Sequence, residues 1–101
     1  MRPFLFLTIL LFQFSSFSQE TKTIHGYVSS TKTGEKLISA TLYDTLHKQG
    51  AITNEYGFFS LTVKNETTVL RISSFGFSTE MIEIKKEETE FNFNLTEIQE
   101  I

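Results

Sequence analysis

The chain has 101 residues, 40% of them hydrophobic and 14% aromatic, with 9 Lys and Arg against 12 Asp and Glu for a net charge of −3. This length allows one small domain, and the acidic balance gives nucleic acid no clustered basic footprint to bind. The sequence holds no Cys, which excludes a disulfide framework, a thiolate metal site and a thiol nucleophile.

Met1-Arg2-Pro3, the largely apolar run from Phe4 to Phe14, and then Ser16-Phe17-Ser18 have the three-part form of a secretory signal. The apolar run is shorter than the roughly 18–20 residues needed to span a bilayer, so a cleaved segment 1–18 is expected, cut between Ser18 and Gln19. Residues 19–23 form a short lead into the domain. Beyond it, short β-branched or apolar runs alternate with turn residues, the pattern of an all-β domain.

Residues 22–29 place Ile24, Gly26 and Val28 on one face of a strand, and Thr31 to Glu35 form a turn around Gly34. A second strand is expected over 37–43, with Ala40 and Leu42 inward. A polar stretch from Asp44 to Lys48 leads to a short strand at 49–53. Asn54-Glu55-Tyr56-Gly57 then reads as a type I turn closing a hairpin, with Asn first and Gly fourth. Residues 58–63 come next with Phe59, Leu61 and Val63 in phase, and then residues 67–73 with Leu70 and Ile72. Gly76 lies between Phe75 and Phe77, and Gly26 and Gly76 are expected to mark a bulge or a close backbone approach. Ile82 and Ile84 are in phase over 79–85, and Phe91, Phe93 and Leu95 alternate with Asn92 and Asn94 in the last strand. Seven strands at this spacing predict a two-sheet sandwich with one buried face per strand.

In this order the signals resemble a known family. Ile24-x-Gly26-x-Val28 and Thr33-Gly34-Glu35-x-Leu37-x-x-Ala40-Thr41-Leu42 resemble the opening of carboxypeptidase-regulatory-like domains. Gly50-x-x-Thr53-Asn54-x-x-Gly57-x-Phe59-x-Leu61-x-Val63 is similar to their central hairpin, with Asn54 where the family commonly carries Asp. Leu70-x-Ile72-Ser73-x-x-Gly76-Phe77 is similar to the family's next strand. The resemblance covers residues 24–95 and implies a seven-stranded, transthyretin-like sandwich. A domain of this kind directly after a signal peptide resembles the N-terminal extension of SusC-like TonB-dependent outer-membrane receptors. Residues 96–101 resemble the segment leading towards their plug and barrel. The resemblance implies a periplasmic accessory domain without enzyme activity or cofactor. Its partner would be a receptor plug and barrel in cis or another envelope protein, and it would meet the membrane only through that partner. The alternative is a secreted or cell-surface module that binds carbohydrate or protein.

The remaining chemistry is sparse. His25 and His47 are the only histidines, and neither has a second ligand at the spacing that places two zinc ligands on one helix face. A Ser-His-Asp triad would have to use Asp44, the one Asp, and no Gly-x-Ser-x-Gly elbow is present. A small hydrolase would therefore depend on His25 or His47. Glu87, Glu88 and Glu90 near Glu83 read as a solvated turn that discourages edge pairing. Asn65 and Asn94 begin Asn-x-Thr sequons, and Asp44-Thr45-Leu46 resembles a bacterial O-glycan acceptor in an exposed loop, with Thr45 as the attachment point. Phe58, Phe75 and Phe77 are candidate outward aromatics, and any two lying together would mark a contact surface.

Overall fold

The computed structural model describes residues 20–99. Segment 1–18 and the Ser18–Gln19 cleavage point lie outside the described residues, as do Glu100 and Ile101. The strands are β1 Thr21–Ser30, β2 Thr41–Asp44, β3 Gln49–Ile52, β4 Phe58–Lys64, β5 Thr68–Ser73, β6 Glu80–Ile84 and β7 Glu90–Leu95. There is no helix among the described residues. One sheet has the order β4-β1-β7 and the other β3-β2-β5-β6. Among the described strands only β1 and β7 pair in parallel; the other pairs are antiparallel.

The period-2 pattern decides which face each strand buries. Ile24 and Val28 of β1, Phe59, Leu61 and Val63 of β4, and Phe93 and Leu95 of β7 point into the sandwich from one sheet. Leu42 of β2, Leu70 and Ile72 of β5, and Ile84 of β6 meet them from the other. The Phe93 ring stacks on Phe59 at 5.7 Å between centroids and on Phe91 at 5.4 Å. Such pairs add to the area term because offset rings align their quadrupoles.

Gly26 sits in mid-β1 rather than in a turn. A Cβ built there would lie 1.5 Å from the Phe91 carbonyl oxygen of β7, so only glycine lets these parallel strands meet. This is the close approach expected from the sequence. Gly76, by contrast, lies in the turn between β5 and β6 with nothing within 4 Å of a built Cβ. Gly34 occupies the turn after β1, where its N–H donates to the Ser30 carbonyl at 2.8 Å.

Two expectations need correction. The second strand begins at Thr41, not at residue 37, because Ser39 adopts φ 60° and breaks the extended run. Residues 37–40 instead form a strap, tied by Leu37 N–H to the Val28 carbonyl at 2.8 Å. The Asn54–Gly57 turn does form, with Gly57 N–H donating to the Asn54 carbonyl at 2.9 Å and φ 73° at Gly57. It does not close a hairpin: β3 pairs with β2 and β4 pairs with β1. The turn carries the chain from one sheet to the other. Val28 N–H donates to the Gly57 carbonyl at 2.9 Å, so the turn is seated on β1 and hands β4 to that strand.

Candidate functional site

The polar groups of this sandwich concentrate where the chain crosses between sheets. Thr53 is buried just after β3. Its hydroxyl donates to the Leu37 carbonyl at 2.6 Å and accepts the Ala40 N–H at 2.8 Å, fixing the strap of residues 37–40. Asn54 Oδ1 accepts the N–H groups of Tyr56 at 2.9 Å and Phe58 at 3.1 Å. This is an acceptor's role, which the Asn amide oxygen fills as a carboxylate would. Among the described residues, no buried side-chain nitrogen or oxygen lacks a partner.

The densest polar cluster lies at the end of β2. Asp44 is wholly buried. Its Oδ1 accepts the Thr68 hydroxyl at 2.5 Å, the Leu46 N–H at 3.0 Å and the His47 N–H at 3.1 Å. Its Oδ2 meets His47 Nδ1 at 2.8 Å, and His47 Nε2 meets Glu66 Oε1 at 2.6 Å. Burial pushes the Asp44 carboxyl up, but the bonds from Thr68, His47 and Leu46 outweigh it and hold it below the ordinary value. The His47 imidazole is raised, first by its bond to Asp44 and then by its bond to Glu66. The structure thus brings Asp44 to a histidine, as a triad would need. Both ring nitrogens are occupied by carboxylates, however, and the nearby Thr68 hydroxyl donates to Asp44. The arrangement stores a charged clamp between the β2–β3 loop and the β4–β5 turn; it leaves no nitrogen to take a proton from a nucleophile.

The sequence pattern did not reveal this cluster, because Thr68 and Glu66 lie far along the chain from Asp44. The one local sign was Asp44-x-x-His47, an Asp able to accept the N–H groups two and three residues on. Thr45 is half-buried, and its hydroxyl donates to the Val69 carbonyl at 3.0 Å. Leu46 and Lys48 of the same loop are exposed, while Asp44 beside Thr45 is buried. Asn65 Oδ1 accepts the Glu87 N–H at 3.0 Å, while Asn94 is exposed on β7. Glu87, Glu88 and Glu90 are exposed, and Glu88 Oε1 accepts the Lys85 N–H at 2.8 Å. Among the described residues, no group of three His, Asp or Glu is arranged to hold a metal ion.

The three aromatics expected outward separate. Phe58 lies on the outer face of β4, half-buried, packing edge-on against Tyr27 at 5.4 Å and near His25 at 6.4 Å. Lys36 Nζ stands 5.0 Å from the Tyr27 ring centroid, a cation–π contact. Phe75 and Phe77 belong to the β5–β6 turn of the other sheet. Phe75 is fully exposed, while Phe77 packs against the core and bridges to Glu97. The bridge and the bonds Ser78 N–H to Thr96 and Ile98 N–H to Gly76 tie residues 96–98 to that turn.

A second open feature is the flank where β6 and β7 lie as the edge strands of opposite sheets. A cleft of about 310 Å³ runs between them, lined by Ile72, Glu80 and Ile82 on one side and Asn92 to Leu95 on the other.

Seven strands in two sheets, arranged around a core of inward aliphatics and stacked phenylalanines, define a β-sandwich domain. The sequence model of the CarboxypepD_reg-like domain family matches residues 24–101, and the chain belongs to that family. A comparison with curated proteins returned no match. Among solved structures, a similar fold is found in a C-terminal interface mutant of the type II cohesin–X-dockerin complex from Acetivibrio cellulolyticus. The likeness has a TM-score of 0.56 at 18% identity, covering 74% of this chain and 52% of that one. This chain therefore spans about half the length of the chain it matches.

Proposed function

We propose that this domain is a non-enzymatic accessory module of an exported envelope system and that it works through protein contacts. On this reading it is the N-terminal extension, or a relative of one, of a TonB-dependent outer-membrane nutrient receptor of the SusC-like kind. It would sit on the periplasmic face, with plug and barrel in cis or another envelope protein as its partner. The observation that carries the reading is the open flank: edge strands β6 and β7, each with one side unpaired, beside a cleft lined by polar and apolar side chains, on a sandwich whose buried side-chain polar groups already have partners among the described residues. An exposed edge offers a ready template for another chain. The family membership over residues 24–101 and the export-type pattern at Met1–Ser18 support the receptor setting. The similar sandwich from a cohesin–X-dockerin complex supports protein contact as work such a scaffold can do.

Fractionation of source cells, blotted with an antibody against residues 20–101, tests this. A large band in the outer membrane is expected; a small soluble band in the periplasm or medium sinks the receptor reading. One observation favours a stand-alone binding module instead, the Tyr27–Phe58 pair on an outer sheet face. In that case Phe58→Ala removes binding of a carbohydrate or protein ligand while the fold survives.

A further inference from the structure

We infer that the open flank accepts a basic, extended segment of a partner protein, added as a strand along β7 with one cationic side chain paired to Glu80. This rests on the protein-contact reading and specifies its partner.

The hydrogen-bonding pattern defines the docking edge. His25 N–H donates to the Thr89 carbonyl and Thr31 N–H to the Leu95 carbonyl, both at 2.9 Å. In a parallel ladder, residues alternate between the partner strand and the open side. The odd-numbered residues of β7 therefore face β1, and Glu90, Asn92 and Asn94 turn their N–H and C=O groups outward. Three outward residues suit a short added strand.

The cleft determines the side chains such a strand must carry. Ile72, Ile82, Phe93 and Leu95 give it an apolar floor. Glu80 pairs with Ile72 in register, so its side chain lies on the cleft side of β6. It is half-buried, and no described residue gives it a hydrogen bond or an ion pair. An incoming Lys or Arg would satisfy it in a partly desolvated setting, where a charge-assisted bond is strongest. Residues 80–97, which make both edges and the turn between them, carry six carboxylates and two lysines. A second copy of the same edge is repelled by that charge, whereas a basic strand is attracted.

The test uses ¹⁵N-labelled protein expressed from the full 101-residue chain, titrated with a synthetic Val–Lys peptide in which Val, Lys and Val alternate with Thr, so that the cation and its apolar neighbours share one face. The same peptide with Glu in place of Lys serves as the control. The Val–Lys peptide is expected to shift the amides of Glu90, Asn92 and Asn94 and those around Ile82, and the control is expected not to. Glu80→Gln weakens binding about tenfold, and added salt weakens it further. Asn92→Pro removes an N–H that no internal strand uses. It should keep the fold, since Pro is tolerated on edge strands, and lose the peptide. Shifts confined to another face, equal binding of both peptides, or an unchanged Glu80→Gln affinity would each overturn the inference. If Asn92→Pro unfolds, the Glu80→Gln affinity and the shift map still decide. A domain found with an envelope partner but indifferent to the peptide defeats this inference alone. A domain found free that binds the peptide at β7 upholds it and defeats the receptor reading.

Discussion

Replacing Asp44 should expose how much of this sandwich hangs on one carboxylate. Four donors converge on it: the Thr68 hydroxyl, the Leu46 and His47 amides, and the His47 ring. Asp44→Ala removes the acceptor and leaves a buried Thr68 hydroxyl without a partner. A lost bond to a charged group costs about 1.5–3 kcal/mol and an orphaned buried donor about 1–3 kcal/mol, so about 3–5 kcal/mol is expected. A domain of this size has a total stability of about 4–12 kcal/mol, so the variant should lose a quarter or more of it. Asp44→Asn keeps an oxygen for the Oδ1 donors but loses the charge and sets an NH2 where Oδ2 meets His47 Nδ1, at about 2 kcal/mol. The pH dependence supplies the sharper check. The His47 pKa is raised above 6.5 in the folded state, so between 6.5 and that raised value the native protein binds more protons than the unfolded chain. Its contribution is complete below 6.5 and is lost as pH rises through the folded pKa. The Asp44 pKa is depressed below 3.8, so its contribution is complete above 3.8 and disappears as pH falls through the folded value. The clamp is therefore strongest between about pH 4 and 6.5. Urea unfolding followed by far-UV circular dichroism at pH 5, 7 and 8.5 measures this. The gap between wild type and His47→Gln should narrow as pH rises. A gap that is flat with pH, or an Asp44→Asn variant as stable as wild type, would refute the clamp.

Gly26→Ala should cost more than about 3 kcal/mol, because a Cβ 1.5 Å from the Phe91 carbonyl oxygen must push β1 and β7 apart; the urea midpoint reads it. Gly57→Ala combines φ 73° with a built Cβ only 2.7 Å from Lys36 Cβ, and should lose about 2 kcal/mol in the same assay. Thr53→Val keeps the shape but removes the hydroxyl between Leu37 and Ala40; a loss of about 2 kcal/mol is expected, with faster hydrogen exchange at the Ala40 amide. Phe75→Ser touches nothing in the fold, since Phe75 is fully exposed, and should change stability by less than about 0.5 kcal/mol.

The strands were legible in the sequence because burial on one face imposes a period of two. Phe91, Phe93 and Leu95 alternate with Asn92 and Asn94, and β7 falls where that alternation runs. The exception is instructive. Leu37 and Ala40 are both buried, so hydrophobicity alone extended the second strand backwards, whereas Ser39 at φ 60° makes residues 37–40 a strap. The Asn54–Gly57 turn was legible as a turn but not as a crossing, because its local chemistry is the same whichever strands it joins. What assigns β4 to β1 is the bond from Val28 N–H to Gly57, a contact between residues far apart in the chain. The Asp44 cluster was illegible for the same reason: its partners Glu66 and Thr68 come from the β4–β5 turn and the start of β5. Separation in sequence, not subtlety of chemistry, hid both.

The two flanks of the sandwich also divide its work. On the β3–β4 flank, β3 and β4 are edge strands too, but the side chains of Thr53, Asn54 and the Asp44–His47–Glu66 group already have partners there. On the β6–β7 flank the backbone groups of Glu90, Asn92 and Asn94 and the Glu80 carboxylate have no internal claim on them. Recognition requires groups that gain on binding more than they lose in leaving water. β7 differs from the other edge strands in lying beside the unpartnered Glu80 carboxylate, and docking there would add bonds to backbone and side chain without breaking any.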